Sequence, residues 1–343
     1  MDAITGIAWT VLGAVFLGTF ALPSKYVKNY AWENTWGVFF FFGMLVVPVG
    51  FACLTVDGLW DGYADVPWPT ILWVMGLGFL WGCGFCCWGF GLSMVGLSLG
   101  YALTMGTMAL VGSMVPFFLG SAEMALTAPG MLVLGGILIC IVGVGINGYA
   151  GMLREKSVTA GQTEGGPAKQ TMLLGLLVCV VAGVLSSGLN VAFHVGKEIG
   201  TISKDQFGNP EWLAGMAVWN LIFLGGFLAS VGFSIFRLSK NRTWNGFLVE
   251  GSARNVVLAV LMAVGHFLCI FFYGVGAWKL GDLGTSVGFA IFQSGSLIIG
   301  NGLGFFTGEW TAASTRSKAT LLTGLATLIF GIVVLSLGKA LST

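Results

Sequence analysis

Very few side chains in this chain can hold a charge, and those set inside apolar stretches stand out. Glu33 lies in AWENTWGVFF, between Trp32 and Trp36. A carboxyl in a partly dry, aromatic setting can exchange protons near neutral pH, which is what a proton-coupled device needs. An acidic residue in a first helical turn also simply complements the helix dipole, so both readings stand. Lys25, after Pro23, is placed to pair with Glu33 and to switch as a proton binds; it also fits a plain interfacial anchor. His266 occupies the middle of LMAVGHFLCIFF, with no polar neighbour in sequence to explain it. It could titrate with a proton or bond a ligand hydroxyl, or it could bond a backbone carbonyl. His194 stands beside Lys197 and Glu198, near the end of an apolar run; it is a candidate ligand contact, and an interfacial position fits it as well.

A second set is neutral and polar. Gln293 with Ser294 and Ser296, Asn190 with Ser186 and Ser187, and Asn220 after Trp219 all sit inside apolar runs. Amides and hydroxyls supply the paired donors and acceptors that a polyhydroxylated ligand requires, and aromatic faces cover its C–H surface. Trp81 and Trp88 are seven residues apart and share a helix face, as do Trp32 and Trp36; Tyr101 and Thr104 add a phenol and a hydroxyl. Each residue alone fits interhelical packing; their convergence at one depth would make a binding site.

The elements carrying these residues must be membrane helices. Apolar residues make up 56% of the chain and charged residues 8%, against roughly 25% charged in a soluble domain. Ten apolar runs are long enough to span, at about 5–23, 34–56, 69–91, 97–120, 129–149, 172–194, 212–236, 255–278, 284–308 and 319–338. The expected fold class is an all-α polytopic membrane protein. The start MDAITGIAW has no basic n-region, so the first run reads as a span and not as a signal peptide. The CxxC-like Cys83, Cys86 and Cys87 lie inside an apolar run and read as small buried hydrophobes, so neither a metal nor another cofactor is expected.

A net charge of +1 gives nucleic acid nothing to bind. No GxxxxGK[ST] loop is present, so no ATP-driven step is expected. A lipid-modifying enzyme would want paired carboxylates or a His cluster at one interface. The two His are about 70 residues apart and no acidic pair occurs, so an enzyme is not expected. A channel would differ in showing no saturable accumulation.

Organisation follows from a repeat. Residues 88–124 and 273–310 share an aromatic-Gly-x-Gly, a long Gly-rich apolar run and a closing Glu (Glu123 and Glu309), offset by about 185 residues. The polar stretch Arg154 to Gln170 falls near the middle and separates five spans from five. Five is odd, so the second copy must be inverted in the membrane. The division is therefore 1–150 for the first five-helix repeat, 151–171 for a flexible linker and 172–343 for the second repeat. Eleven Lys and Arg fall on the side opposite the termini and four on the terminal side. The positive-inside rule makes the former cytoplasmic and puts both termini outside. Gly78/Gly82, Gly96/Gly100 and Gly284/Gly288 fit close helix crossings, and Asn301 among its glycines fits packing.

The segments LPSKYVKNYAWENTWGVFF (22–40), WGCGFCCWGFGLSMVGLSLGYAL (81–103), GFSIFRLSK (232–240), FFYGVGAW (271–278) and GEWTAASTRSKAT (308–320) resemble the L-rhamnose–proton symporter family of the drug/metabolite transporter superfamily. The resemblance runs nearly end to end. It implies a ten-helix inverted-repeat carrier in the cytoplasmic membrane that imports a neutral monosaccharide, L-rhamnose or a related sugar, with a proton by alternating access. The partners are then the sugar, the proton and lipid. The alternative within the superfamily is an exporter or exchanger of another small metabolite.

Overall fold

The computed structural model describes residues 2–95, 97–159, 169–308 and 310–342. Ten helical segments are long and apolar enough to cross a membrane: span 1 (Ala3–Tyr26), span 2 (Trp32–Thr55), span 3 (Trp68–Trp88), span 4 (Leu99–Gly120), span 5 (Ala128–Ser157), span 6 (Met172–Asp205), span 7 (Glu211–Asn241), span 8 (Ser252–Lys279), span 9 (Gly281–Phe306) and span 10 (Thr315–Leu341). No strand occurs among the described residues. An all-helical fold is what hydrocarbon demands of a chain this apolar, because each backbone N–H and C=O must be satisfied within its own segment.

Several spans are longer than hydropathy alone indicates. The helix of span 5 runs on to Thr159 and the helix of span 6 starts at Lys169, so 151–159 is helix and not linker. Residues 160–168, the centre of the expected linker, lie outside the described residues, as do Glu309 and Gly96. Span 6 is three helices end to end, Lys169–Ser186, Gly188–Val195 and Lys197–Asp205, with breaks at Ser187 and Gly196. Two spans contain a π turn, Phe42–Val46 in span 2 just before Pro48, and Gly284–Gly288 at the start of span 9. Such turns are common where a helix serves a function beyond spanning.

Helix partners follow an exchange rule. Span 1 packs against spans 8 and 9, and span 6 packs against spans 3 and 4. Span 3 lies along span 7, as span 8 lies along span 2, while spans 5 and 10 pair with each other. For these pairs, replacing each span by the one five places on returns another pair of the same set.

Close crossings rest on glycine, as the small-residue spacing predicts. A Cβ on Gly82 of span 3 would stand 2.6 Å from the Gly226 carbonyl oxygen of span 7. One on Gly188 of span 6 would stand 2.6 Å from the Leu77 carbonyl oxygen. Real Cβ atoms do not approach that closely, so the helices touch backbone to backbone.

A short helix, Leu59–Ala64, closes the connection after span 2. Its Tyr63 hydroxyl donates to the Ala217 carbonyl at 2.7 Å and accepts from Asn220 Nδ2 at 3.0 Å. Burial pushes the phenol above its ordinary range, so it remains a donor.

Candidate functional site

A cavity of about 450 Å³ opens within the bundle. Spans 1 to 6, 8 and 9 contribute to it, and it reaches from mid-bundle to the face opposite the termini, where Arg154 and Trp310 line its end. Arg154 sits over the Trp310 ring at 5.2 Å. This face carries most of the Lys and Arg and is called the basic face below; the other is the terminal face.

Six of the expected site residues line the cavity: Trp36, Trp81, Trp88, Tyr101, His266 and Gln293. Helical spacing brings them together, since Trp81, Phe85 and Trp88 form one face of span 3 and Gln293, Ser296 and Gly300 one face of span 9. Trp81 lies parallel to the His266 imidazole, with centroids 6.1 Å apart and 6° between planes. Phe20, Phe39 and Phe223 meet the same imidazole edge-on. Trp88 meets Tyr101 at 5.9 Å.

The polar atoms decide what this cavity can do. Trp88 Nε1, Asn147 Oδ1, His266 Nδ1 and Gln293 Nε2 are buried and have no hydrogen-bond partner in the protein. All four belong to residues that line the cavity. Buried polar groups are almost always paired, and leaving one unpaired costs about 1–3 kcal/mol. Five other buried polar atoms among the described residues are unpaired elsewhere; these four differ in belonging to cavity-lining residues, where a polar ligand could complete them. Asn147 holds its orientation by donating Nδ2 to the Gly143 carbonyl at 2.9 Å, which leaves the oxygen facing outward from its own helix. Among the described lining residues there is no carboxylate, and Arg154 is the one permanent charge.

Asn147, near the end of the apolar run of span 5, and Arg154, just past it, were not singled out by the sequence because they resemble ordinary helix-end residues. Asn301 also lines the cavity, although its glycine neighbours suggested packing. Polar residues one or two turns from a span end were the available signal.

Asn190, His194 and Asn220 lie elsewhere, in the closure towards the terminal face. Ser186 and Leu189 line the cavity and Asn190 does not; the helix is interrupted at Ser187. Asn190 is fully buried. Its Nδ2 donates to the carbonyls of Gly112 and Thr285, both at 2.6 Å, and its Oδ1 accepts from the Tyr273 hydroxyl. The Gly112 carbonyl needs this donor, since the residue four places on is Pro116, which has no N–H. His194 Nδ1 bonds Thr285 Oγ1 at 2.8 Å, and Lys197 Nζ bonds Asp282 Oδ1 at 2.8 Å. Phe193 stacks on Trp219 with centroids 4.3 Å apart. A chain of contacts from spans 4, 6, 7, 8 and 9 thus seals the cavity from the terminal face. Asn220 fastens Tyr63 instead of facing a ligand.

Glu33 also lies outside the cavity lining. Its Oε1 accepts from Asn241 Nδ2 and Thr243 Oγ1, each at 2.8 Å, and Oε2 faces Arg237 Nη2 at 3.5 Å. The cation beside the Glu33 carboxylate is Arg237; Lys25 is exposed in the last turn of span 1. Arg237 also covers the Trp32 ring at 5.8 Å. The carboxylate therefore clamps the start of span 2 to the end of span 7 at the basic face.

Ten spanning helices around one polar and aromatic cavity, sealed at one face and extending to the other, define a polytopic membrane carrier. The chain belongs to the family described as L-rhamnose-proton symport protein (RhaT), whose model matches residues 1–341. An L-rhamnose-proton symporter from Pectobacterium atrosepticum is 26% identical over 344 residues, covering 98% of both chains. One from Salmonella dublin is 28% identical over 347 residues, covering 99% of both, and one from Citrobacter koseri is 27% identical over the same length. A solved crystal structure superposes with a TM-score of 0.59 at 17% identity, over 100% of this chain and 99% of its own; that likeness is one of fold alone.

Proposed function

We propose that this protein is a secondary carrier that imports a neutral monosaccharide, L-rhamnose or a related sugar, together with a proton. The observation that carries the reading is the set of four unpaired polar atoms on an aromatic-lined, carboxylate-free cavity. Donors from Trp88 and Gln293 and the acceptor from Asn147 suit sugar hydroxyls, while Trp81 and Trp36 offer faces to the C–H side of a pyranose. The cavity volume lies in the lower part of the roughly 300–1,000 Å³ range of small-molecule sites, enough for one monosaccharide with some water. The symporter names of the family relatives support the same substrate class.

The basic face is cytoplasmic by the positive-inside rule, and both termini are outside. The conformation is then inward-facing, with its exterior gate formed around Asn190. Two inverted five-helix repeats, 1–150 and 172–343, rock about this midplane site. His266 is the group proposed to take the coupling proton, because it lines the cavity, keeps Nδ1 unpaired and lies under the electron-rich face of Trp81. Glu33, engaged on both oxygens, holds the helix clamp.

The test is sugar-dependent proton influx into proteoliposomes, led by L-rhamnose. Wild type is expected to show saturable influx. His266→Gln should abolish it while sugar counterflow persists, and Glu33→Gln should keep coupling but lower thermal stability. The reverse pattern would transfer the proton to Glu33. Counterflow without proton movement in wild type would remove symport. One observation favours a second reading: Arg154 at the end of the cavity would suit an exchanged anionic metabolite. Response to sugar acids with none to neutral sugars would select it.

A further inference from the structure

The cavity changes character along its depth. On span 4, Met108 lies one turn beyond Thr104 towards the terminal face. Ile270 lies one turn beyond His266 on span 8, and Leu189 lies beyond Ser186 on span 6. On span 9, which runs the other way, Phe292 is one step deeper than Gln293. In each helix the polar lining residue is followed, deeper in, by a carbon or thioether side chain. These four form the floor of the cavity, and none is more than 8% exposed.

What lies beneath the floor matters equally. Tyr273 stacks on Phe292 at 4.7 Å, and its hydroxyl is given to Asn190. Both donors of the Asn190 amide are taken by the carbonyls of Gly112 and Thr285. The Tyr273 hydroxyl and the Asn190 amide, directly beneath Phe292, are therefore already paired, while Trp219 Nε1 and Ser113 Oγ, also buried in this half of the molecule, are not among the atoms that line the floor. A ligand hydroxyl delivered to the floor would leave water and meet carbon and thioether side chains first.

We propose that Met108, Leu189, Ile270 and Phe292 are the specificity-determining wall of the site: they receive the C6 methyl of a 6-deoxyhexose and disfavour the hydroxymethyl of the matching hexose. The inference rests on the sugar reading above. The unpaired atoms of His266, Gln293, Asn147 and Trp88 lie between this floor and the basic face, so the hydroxyl-bearing side of the ring points towards the mouth.

L-rhamnose and L-mannose differ only at C6, which makes them the probe pair. Their Kd values are measured on the purified full chain by calorimetry or tryptophan quenching. Wild type is expected to bind L-rhamnose about 10- to 100-fold more tightly, the range an apolar pocket reaches against one added hydroxyl. Met108→Gln places an amide at the floor and should cut the ratio to about threefold or less, mainly through tighter L-mannose binding. Met108→Leu should leave the ratio intact. If Met108→Gln fails to fold, Ile270→Thr carries the same expectation. A wild-type ratio near one overturns the floor assignment and leaves the sugar reading standing. An unchanged ratio in the folded polar variant overturns the role of that wall. Binding of neither sugar overturns the sugar reading and the floor with it.

Discussion

The Gln293 amide is 3% exposed, and its Nε2 has no partner in the protein. Its neighbour Ser296 donates its hydroxyl to the Gln293 backbone carbonyl at 2.8 Å. A ligand hydroxyl that completes this donor should contribute about 1 kcal/mol net. Gln293→Ala is therefore expected to weaken sugar binding roughly five- to tenfold by titration calorimetry, with little change in thermal stability because no internal bond is lost. An unchanged Kd would take Gln293 out of the site. Asn190→Ala should behave in the opposite way. Its amide is satisfied wholly within the protein, so its loss leaves the carbonyls of Gly112 and Thr285 without a donor and lowers stability more than ligand affinity.

At the scale of elements, irregular helices build the seal. Pro116 frees a carbonyl in span 4, the π turn Gly284–Gly288 reshapes the start of span 9, and Asn190, just after the break at Ser187, bonds both. Each irregularity would be costly against lipid and is tolerated because neighbouring helices satisfy the exposed groups. A seal made from spans 4, 6, 7, 8 and 9 has to separate for the other face to open. Lys197 and Asp282 stand at its outer edge, 2.8 Å apart, and their side chains are 51% and 80% exposed. An exposed ion pair contributes little energy, so it can part readily. Lys197→Cys with Asp282→Cys, joined by a short bifunctional thiol reagent, should stop transport while sugar still binds from the basic face. Continued transport by fully cross-linked protein would show that this edge does not move.

At the scale of the molecule, the main helix pairings map onto one another when each span is replaced by the one five places on. On the proposed reading, this relation lets the open and the sealed face exchange roles by alternating access. Sidedness is open to direct measurement. An impermeant thiol reagent applied to intact cells should label a cysteine at Ser342 on a cysteine-free background. It should reach one at Lys240 only after the membrane is permeabilised. The opposite labelling would invert the assignment and make the cavity outward-facing.

Sequence alone determined the class of the molecule, because bilayer thickness sets span length and hydrocarbon excludes any backbone but a helix. Ten spans were legible on that basis, and six of the aromatic, amide and imidazole side chains that stand out in the sequence line the cavity. Small-residue spacing likewise announced the crossing at Gly82. Tertiary structure alone decided which polar residues share a cavity. Asn190, Gln293 and His266 look alike as single polar residues in apolar helices, yet one is paired on every atom and the other two are not. The difference lies in partners about 75 to 95 residues away. Glu33 shows the same limit: its cation comes from span 7, about 200 residues on, and no local pattern predicts that meeting.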